Sequence, residues 1–190
     1  MEDFPDYLPN TYDGYYLYPE YKTSHLNPEY TRADEVIAGR ETRVFKEAAE
    51  VIKAGKLGDK FHAISDAHAE MMIKVAEAIA FNTLGRFILI VENNGAIANM
   101  QDDAMVEVVC ELGINGPRPM SVGNIPQFYL GLLVQQVSCE KLLVDAYYEH
   151  SYQKALEAFT LNRLINDAKV ARKILDALIE ANKGMWPELK

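Results

Sequence analysis

The sequence predicts an α+β fold in a single unit spanning residues 1–190. Three observations carry this: apolar residues recur at helical spacing on both sides of a short β-branched run, no segment repeats, and no strand runs into a glycine-rich nucleotide loop. With 190 residues, 49% of them hydrophobic, the chain is long enough to bury a sizeable core.

Residues 1–30 are rich in Tyr, Pro and Asn, among them Tyr7, Pro9, Asn10, Tyr12, Tyr15, Tyr16, Tyr18, Pro19, Tyr21, Pro28 and Tyr30. Neither a helical nor a strand period runs through them, and the prolines oppose a continuous helix, so an irregular or extended segment is expected. So many aromatics need a surface to pack on.

From Thr31 to Ala54, Ile37, Val44, Phe45, Ala48 and Ile52 return at helical spacing, with Gly55 as the stop. A second helix should follow a Ser65 N-cap and bury Met72, Val75, Ala76 and Ile79. Both helices read as half-buried. Phe87-Ile88-Leu89-Ile90-Val91 is short and apolar on both faces, which suits a central strand. Ala104–Cys110 reads as a second strand. The Asn- and Gly-rich stretch between them, Asn93 to Met100, reads as a loop whose amides can bind a partner or ligand. Asn93, Asn94 and Asn99 are therefore candidates for pocket lining or subunit contact, with turn formation as the competing role.

Gly113–Pro119 reads as turns, and the remainder as helices. Leu130, Leu133, Val134 and Val137 open one stripe, Tyr152, Leu156 and Phe159 a second, and Ala171, Ile174, Leu175 and Leu178 a third, capped by Asn166. Trp186-Pro187 ends the pattern.

The 28 acidic against 19 basic residues give a net charge of −9, which opposes binding to nucleic acid. An anionic substrate would need a local cation. Cys110 and Cys139, without a CxxC spacing, fit a reducing compartment. No apolar run is long enough to span a bilayer and no leader-like start occurs, so a soluble, cytoplasmic protein is expected. No GxGxxG or P-loop is present, and His25, His62, His68 and His150 offer no ligand pair at helical spacing. A self-contained metal site or nucleophile triad is therefore not expected.

The segment Leu8-Pro9-Asn10-Thr11-Tyr12-Asp13-Gly14-Tyr15-Tyr16 resembles the Pro-x-x-Tyr-x-x-Tyr-Tyr stretch of glycoside hydrolase family four. Further similar stretches follow in the family's order: Thr31-Arg32-Ala33-Asp34-Glu35-Val36, Gly39-Arg40-Glu41, Val91 to Ile97, Met105 to Val108, Val122 to Gln127, and Ala177 to Pro187. The ordered set covers nearly the whole chain and is most similar to the family's 6-phospho-α-glucosidases.

The resemblance implies a C-terminal domain like that of lactate and malate dehydrogenases, with several long helices and a small mixed or antiparallel sheet, and without the Rossmann domain. It also implies a redox-assisted elimination that uses NAD and a divalent metal, usually manganese, in place of the two-carboxylate route. Tyr12 matches the tyrosine that removes the proton from sugar C2. A phenol, with an ordinary pKa of about 10, needs a nearby cation to act as phenolate. On composition alone Tyr12 is one more packing aromatic.

Arg32 matches the arginine that grips the substrate's 6-phosphate, a task for which a planar guanidinium is suited. On position alone it is a solvated helix residue. Neither cysteine matches the family's metal-ligand context, so no metal or cofactor is expected on this chain itself. The substrate implied is a phosphorylated disaccharide such as maltose 6′-phosphate, in a homo-oligomer, with the isolated chain inactive or completed by a separate Rossmann-domain polypeptide. The alternatives are a non-enzymatic remnant or oligomerisation module, and the family's 6-phospho-β-glucosidase branch.

Overall fold

The computed structural model describes Phe4 and residues 12–56, 67–165 and 167–190. The described chain is α+β, with a three-stranded antiparallel sheet among α-helices. It divides into two compact units: Met1–Leu17, Ile88–Cys110 and Arg118–Lys190 form the first, and Tyr18–Phe87 and Glu111–Pro117 the second.

The N-terminal segment is more helical than its composition suggests. Asp13–Leu17 forms α1 and Pro19–Ser24 forms α2. Pro19 stands at the start of α2, where its missing N–H has no helical partner to lose and its fixed φ already fits, so proline starts this helix rather than breaking it. Thr23 and Ser24 close α2 by donating their hydroxyls to Pro19 and Tyr21 carbonyls at 2.8 and 2.9 Å.

The helix expected over 31–54 forms with one interruption. Arg32–Val36 is α3, Ile37–Glu41 is a π-helical turn, and Thr42–Ala54 is α4. Gly55, at φ +67°, ends it as expected, its N–H donating to Val51 and Ile52 carbonyls. Ala67–Phe81 forms α5, and its expected Ser65 cap lies outside the described residues.

The apolar sides of α4 and α5 are not half-buried as their spacing predicts. Val44, Phe45, Ile52, Met72 and Ile79 are all exposed; only Ala48 and Val75 are half-buried, and Ala76 is exposed too. Amphipathic spacing marks a side that prefers burial, and the described residues do not supply the surface that would cover it.

The strands are β1 (Gly85–Glu92), β2 (Met105–Gly113) and β3 (Gly116–Pro119), in the order β1-β2-β3. The run expected to be central is therefore an edge strand, and β2 is central. Leu89 and Val91 pack on the core while Ile88 and Ile90 are exposed. A strand apolar on both faces needs two covering layers, and the described residues leave Ile88 and Ile90 on one face exposed. The stretch read as turns, 113–119, turns only at Ile114-Asn115, after which Gly116, at φ +86°, opens β3.

Met120 N–H donates to Val109 O at 2.9 Å. Alternation along the strand then turns the nitrogens of Pro117 and Pro119 to the outer edge, where no ladder bond is missed.

One core of the first unit joins Val106, Val108 and Cys110 of β2 to Ala96, Ile97 and Met100 of the loop and to Val137 of α6 (Gln127–Glu149). A second core links α6 to α7 (Tyr152–Leu161) and α8 (Ala168–Ala181) through Ala146, Ala155, Leu156, Ala171 and Leu175. The small residues allow close helix approach there. Helix α8 begins after Asp167, whose carboxylate accepts from the N–H groups of Lys169 and Val170 at 2.7 and 3.2 Å. The cap is thus one residue beyond the Asn166 predicted, which lies outside the described residues.

Candidate functional site

Tyr12 stands at the entry to α1 in the first unit, where its carbonyl accepts from Tyr15 N–H at 3.0 Å. Its side chain is 68% exposed. Tyr16 follows four residues later, one helical turn along the same side. Its carbonyl accepts from Arg163 Nε at 2.7 Å, a bond that ties α1 to the turn between α7 and α8.

A cavity of about 260 Å³ opens where these meet α6, with Tyr16, Tyr129, Gln135, Gln136 and Arg163 among its walls and leucines of α1 and α6 as apolar floor. Gln135 donates to Leu161 O at 2.9 Å and Gln136 to the Glu140 carboxylate at 2.7 Å. Tyr16 entered the sequence reading as the last tyrosine of the Pro-x-x-Tyr-x-x-Tyr-Tyr stretch, without a role assigned to it. Arg163 carried no local signal at all, since its partner is 147 residues away.

Arg32 belongs to the second unit and occupies the first position of α3. Thr31 and Asp34 fix that helix start reciprocally: Thr31 N–H and Oγ1 donate to the Asp34 carboxylate at 2.8 and 2.7 Å, and Asp34 N–H donates back to Thr31 Oγ1. These bonds from Thr31 hold the Asp34 carboxyl below its ordinary range. Arg32 is exposed and forms an ion pair with Glu35, one turn along, whose carboxylate holds the guanidinium still more firmly protonated. The helix N-terminus disfavours a cation, and Glu35 offsets that locally.

The Asn-rich loop divides by role. Asn93 is fully buried: its Oδ1 accepts from Ile97 N–H at 2.7 Å, and its Nδ2 lies 3.0–3.2 Å from the Ile97, Met100 and Gln101 carbonyls. Its amide is thus turned onto its own loop. Asn99 makes a two-bond clasp on Ile125, accepting from its N–H at 3.0 Å and donating to its carbonyl at 2.9 Å. Backbone bonds Val122 N–H to Ala96 O and Ala98 N–H to Gly123 O complete the lacing, so the 91–97 and 122–127 stretches form one structure. Asn94 is exposed, at φ +41°, and donates to the Glu92 carboxylate at 3.2 Å.

Cys110 and Cys139 are buried free thiols, and burial raises both above the usual thiol range. Cys139 Sγ donates to Ala158 O at 3.1 Å, between α6 and α7. Among the described residues no three His, Cys, Asp or Glu side chains converge to hold a metal ion. The sequence offers no glycine-rich loop for a dinucleotide. No helix of the described residues is long and apolar enough to cross a membrane.

Residues 1–165 match the family model for the family 4 glycosyl hydrolase C-terminal domain. A maltose-6′-phosphate glucosidase of Fusobacterium mortiferum is 53% identical over 187 residues, 98% of this chain and 42% of that protein. A crystal structure of a 6-phospho-α-glucosidase from gut microorganisms, in complex with NAD and Mn2+, is 84% identical with a TM-score of 0.94, and this chain covers 43% of it. A second such enzyme, in complex with NAD and glucose-6-phosphate, is 50% identical with a TM-score of 0.90, again with 43% covered. This chain spans well under half the length of each.

Proposed function

The chain belongs to the family 4 glycosyl hydrolases, as their C-terminal domain, and on that premise we propose that it is the substrate-side part of a 6-phospho-α-glucosidase acting on phosphorylated α-glucosides such as maltose 6′-phosphate. Both compact units belong to this one domain. The observation that carries the reading is Arg32, an exposed guanidinium on a capped helix start in a chain of net charge −9. An exposed Arg–Glu pair is weakly held, and a phosphate dianion competes for the same N–H groups with more charge and more acceptor oxygens. Arg32 can therefore exchange Glu35 for the substrate's 6-phosphate.

Tyr12, which matches the family's tyrosine, is the base that takes the proton from sugar C2. Asn94, exposed at the loop tip, remains a candidate for pocket or subunit contact, whereas Asn93 fits a framework role. The nicotinamide and the divalent metal of the family's chemistry are held by the rest of the enzyme. These 190 residues alone are therefore without turnover.

In a complete enzyme carrying this chain, Arg32→Gln should raise KM for a chromogenic 6-phospho-α-glucoside by about tenfold or more, the scale of one lost charge-assisted bond. Tyr12→Phe should lower kcat by about 10²- to 10⁴-fold, the scale of a lost general base. Unchanged kinetics in either variant would remove that residue's role, and turnover by the 190 residues alone with NAD and manganese would remove the last clause.

A second reading, a non-enzymatic module that keeps an association surface, is favoured by the exposed apolar sides of α4 and α5. It predicts a concentration-dependent oligomer with no thermal shift on adding phosphosugar.

A further inference from the structure

We infer that two copies of this chain pair through β1, edge to edge and antiparallel, with Leu89 on the two-fold axis. β1 is an end strand of the sheet among the described residues, and its run Gly85–Glu92 contains neither proline nor lysine. Asn93 N–H donates to Ala104 O at 2.8 Å, so the backbone at Asn93 faces the β2 side. Alternation back along the strand turns the N–H and C=O groups of Arg86, Ile88, Ile90 and Glu92 to the open edge. The side chains of these four are exposed, Ile88 by 57% and Ile90 by 67%, whereas Phe87, Leu89 and Val91 are half-buried.

These four residues are their own complement. With Leu89 opposite its own copy, Arg86 faces Glu92 of the second copy and Ile88 faces its Ile90, and the two-fold axis repeats both pairs. Every edge-facing residue then meets another, the condition for exchanging both backbone bonds, so about eight hydrogen bonds form across the edge. Sliding the strands by two residues sets Arg86 against Ile90 or Glu92 against Ile88 and leaves a strand end unpaired. Sliding them by one sets exposed side chains against half-buried ones, because facing residues share one side of a sheet. Opposite charges at both ends, with two apolar pairs between them, fit a second copy of this strand in one register. All four residues lie on one unbroken strand, so β1 alone fixes that register. Neither Tyr12 nor Arg32 takes part.

Sedimentation equilibrium of the full chain should show a reversible dimer. Arg86→Glu and Glu92→Arg each set like charges against each other at both ends and should weaken the homodimer about tenfold. Mixed together, the two variants regain opposite charges at both ends and should pair as tightly as the unmodified chain. Leu89→Cys should oxidise to a covalent dimer, its two copies lying about 4.5 Å apart between Cα atoms, within disulfide reach. Ile88→Cys, whose copies face each other only in a shifted register, should not, and the native Cys110 and Cys139 are buried away from such cross-linking. A monomer at every concentration would overturn the pairing, as would a dimer indifferent to both charge reversals, which would belong to another surface such as the apolar sides of α4 and α5. Cross-linking through Ile88→Cys in place of Leu89→Cys would overturn the register. In a complete enzyme carrying Leu89→Cys, absence of a cross-link would give the edge to another segment of that enzyme and overturn the second copy as its occupant.

Discussion

In the unit that contains α6 to α8, Ala146, Ala155, Ala171 and Leu175 are each at most 1% exposed, whereas in the unit that contains α4 and α5, Ile52 is 81% exposed, Met72 69% and Phe45 66%. Helices α4 and α8, one on each side of this comparison, both have a clear apolar stripe. What differs is whether another described element lies against the stripe. Periodicity reports that a helix has a side that prefers burial, and it is silent on what buries it. The first unit therefore carries its own stability, and the second offers surface for association.

The largest expected effect breaks the first of these cores. Leu175→Ala removes a fully buried side chain between α7 and α8 and should cost about 3 kcal/mol in chemical denaturation. Ile52→Ala in α4, of comparable chemistry, should change stability by less than about 0.5 kcal/mol. Equal losses would end the contrast between the units.

Next is Asn93→Ala, which strips partners from the carbonyls of Ile97, Met100 and Gln101 and from the Ile97 N–H. Leaving buried groups unpaired should cost about 2–3 kcal/mol. Asn94→Ala, at the exposed tip of the same loop, should cost far less, and near-equal losses would show that the loop is not held as described.

The smallest effect sharpens the second unit. Thr31→Ala should speed hydrogen exchange at the amides of 34–36 several-fold by removing the helix cap. The carboxyl of Asp34 is depressed in the folded chain by its bonds from Thr31. Its contribution is therefore complete above the ordinary carboxyl value of about 3.9 and is lost as pH falls through the lower folded value. The protection factors of those amides, each rate compared with its intrinsic rate at the same pH, should fall only at the acid end of a titration, and a fall near neutral pH would contradict the capping role.

Much of this was legible in the sequence because it is written locally. Gly55 ended its helix, the 31–54 period made one helical run, and the Val91–Ile97 stretch made a strand running into a loop. Arg32 and Tyr12 are proposed through resemblance rather than spacing, because a single Arg or Tyr has no chemistry of its own until something places a ligand beside it. What stayed hidden was tertiary. Nothing near Arg163 announces Tyr16, and nothing in Phe87–Val91 tells a central strand from an edge with one uncovered face. Pro19 misled for a local reason, since proline stops a helix from within and starts one from its first turn.

Pro117 and Pro119 give the sheet a direction of vulnerability. A strand from another molecule approaching β3 finds an outer edge stripped of two donors, so the sheet cannot be extended on that side into a growing stack. At the opposite edge β1 carries no proline along its length, and Ile88 and Ile90 face outward on it. β1 is therefore the edge at which pairing with a further copy is expected, and a proline or lysine placed there should lower aggregation followed by light scattering.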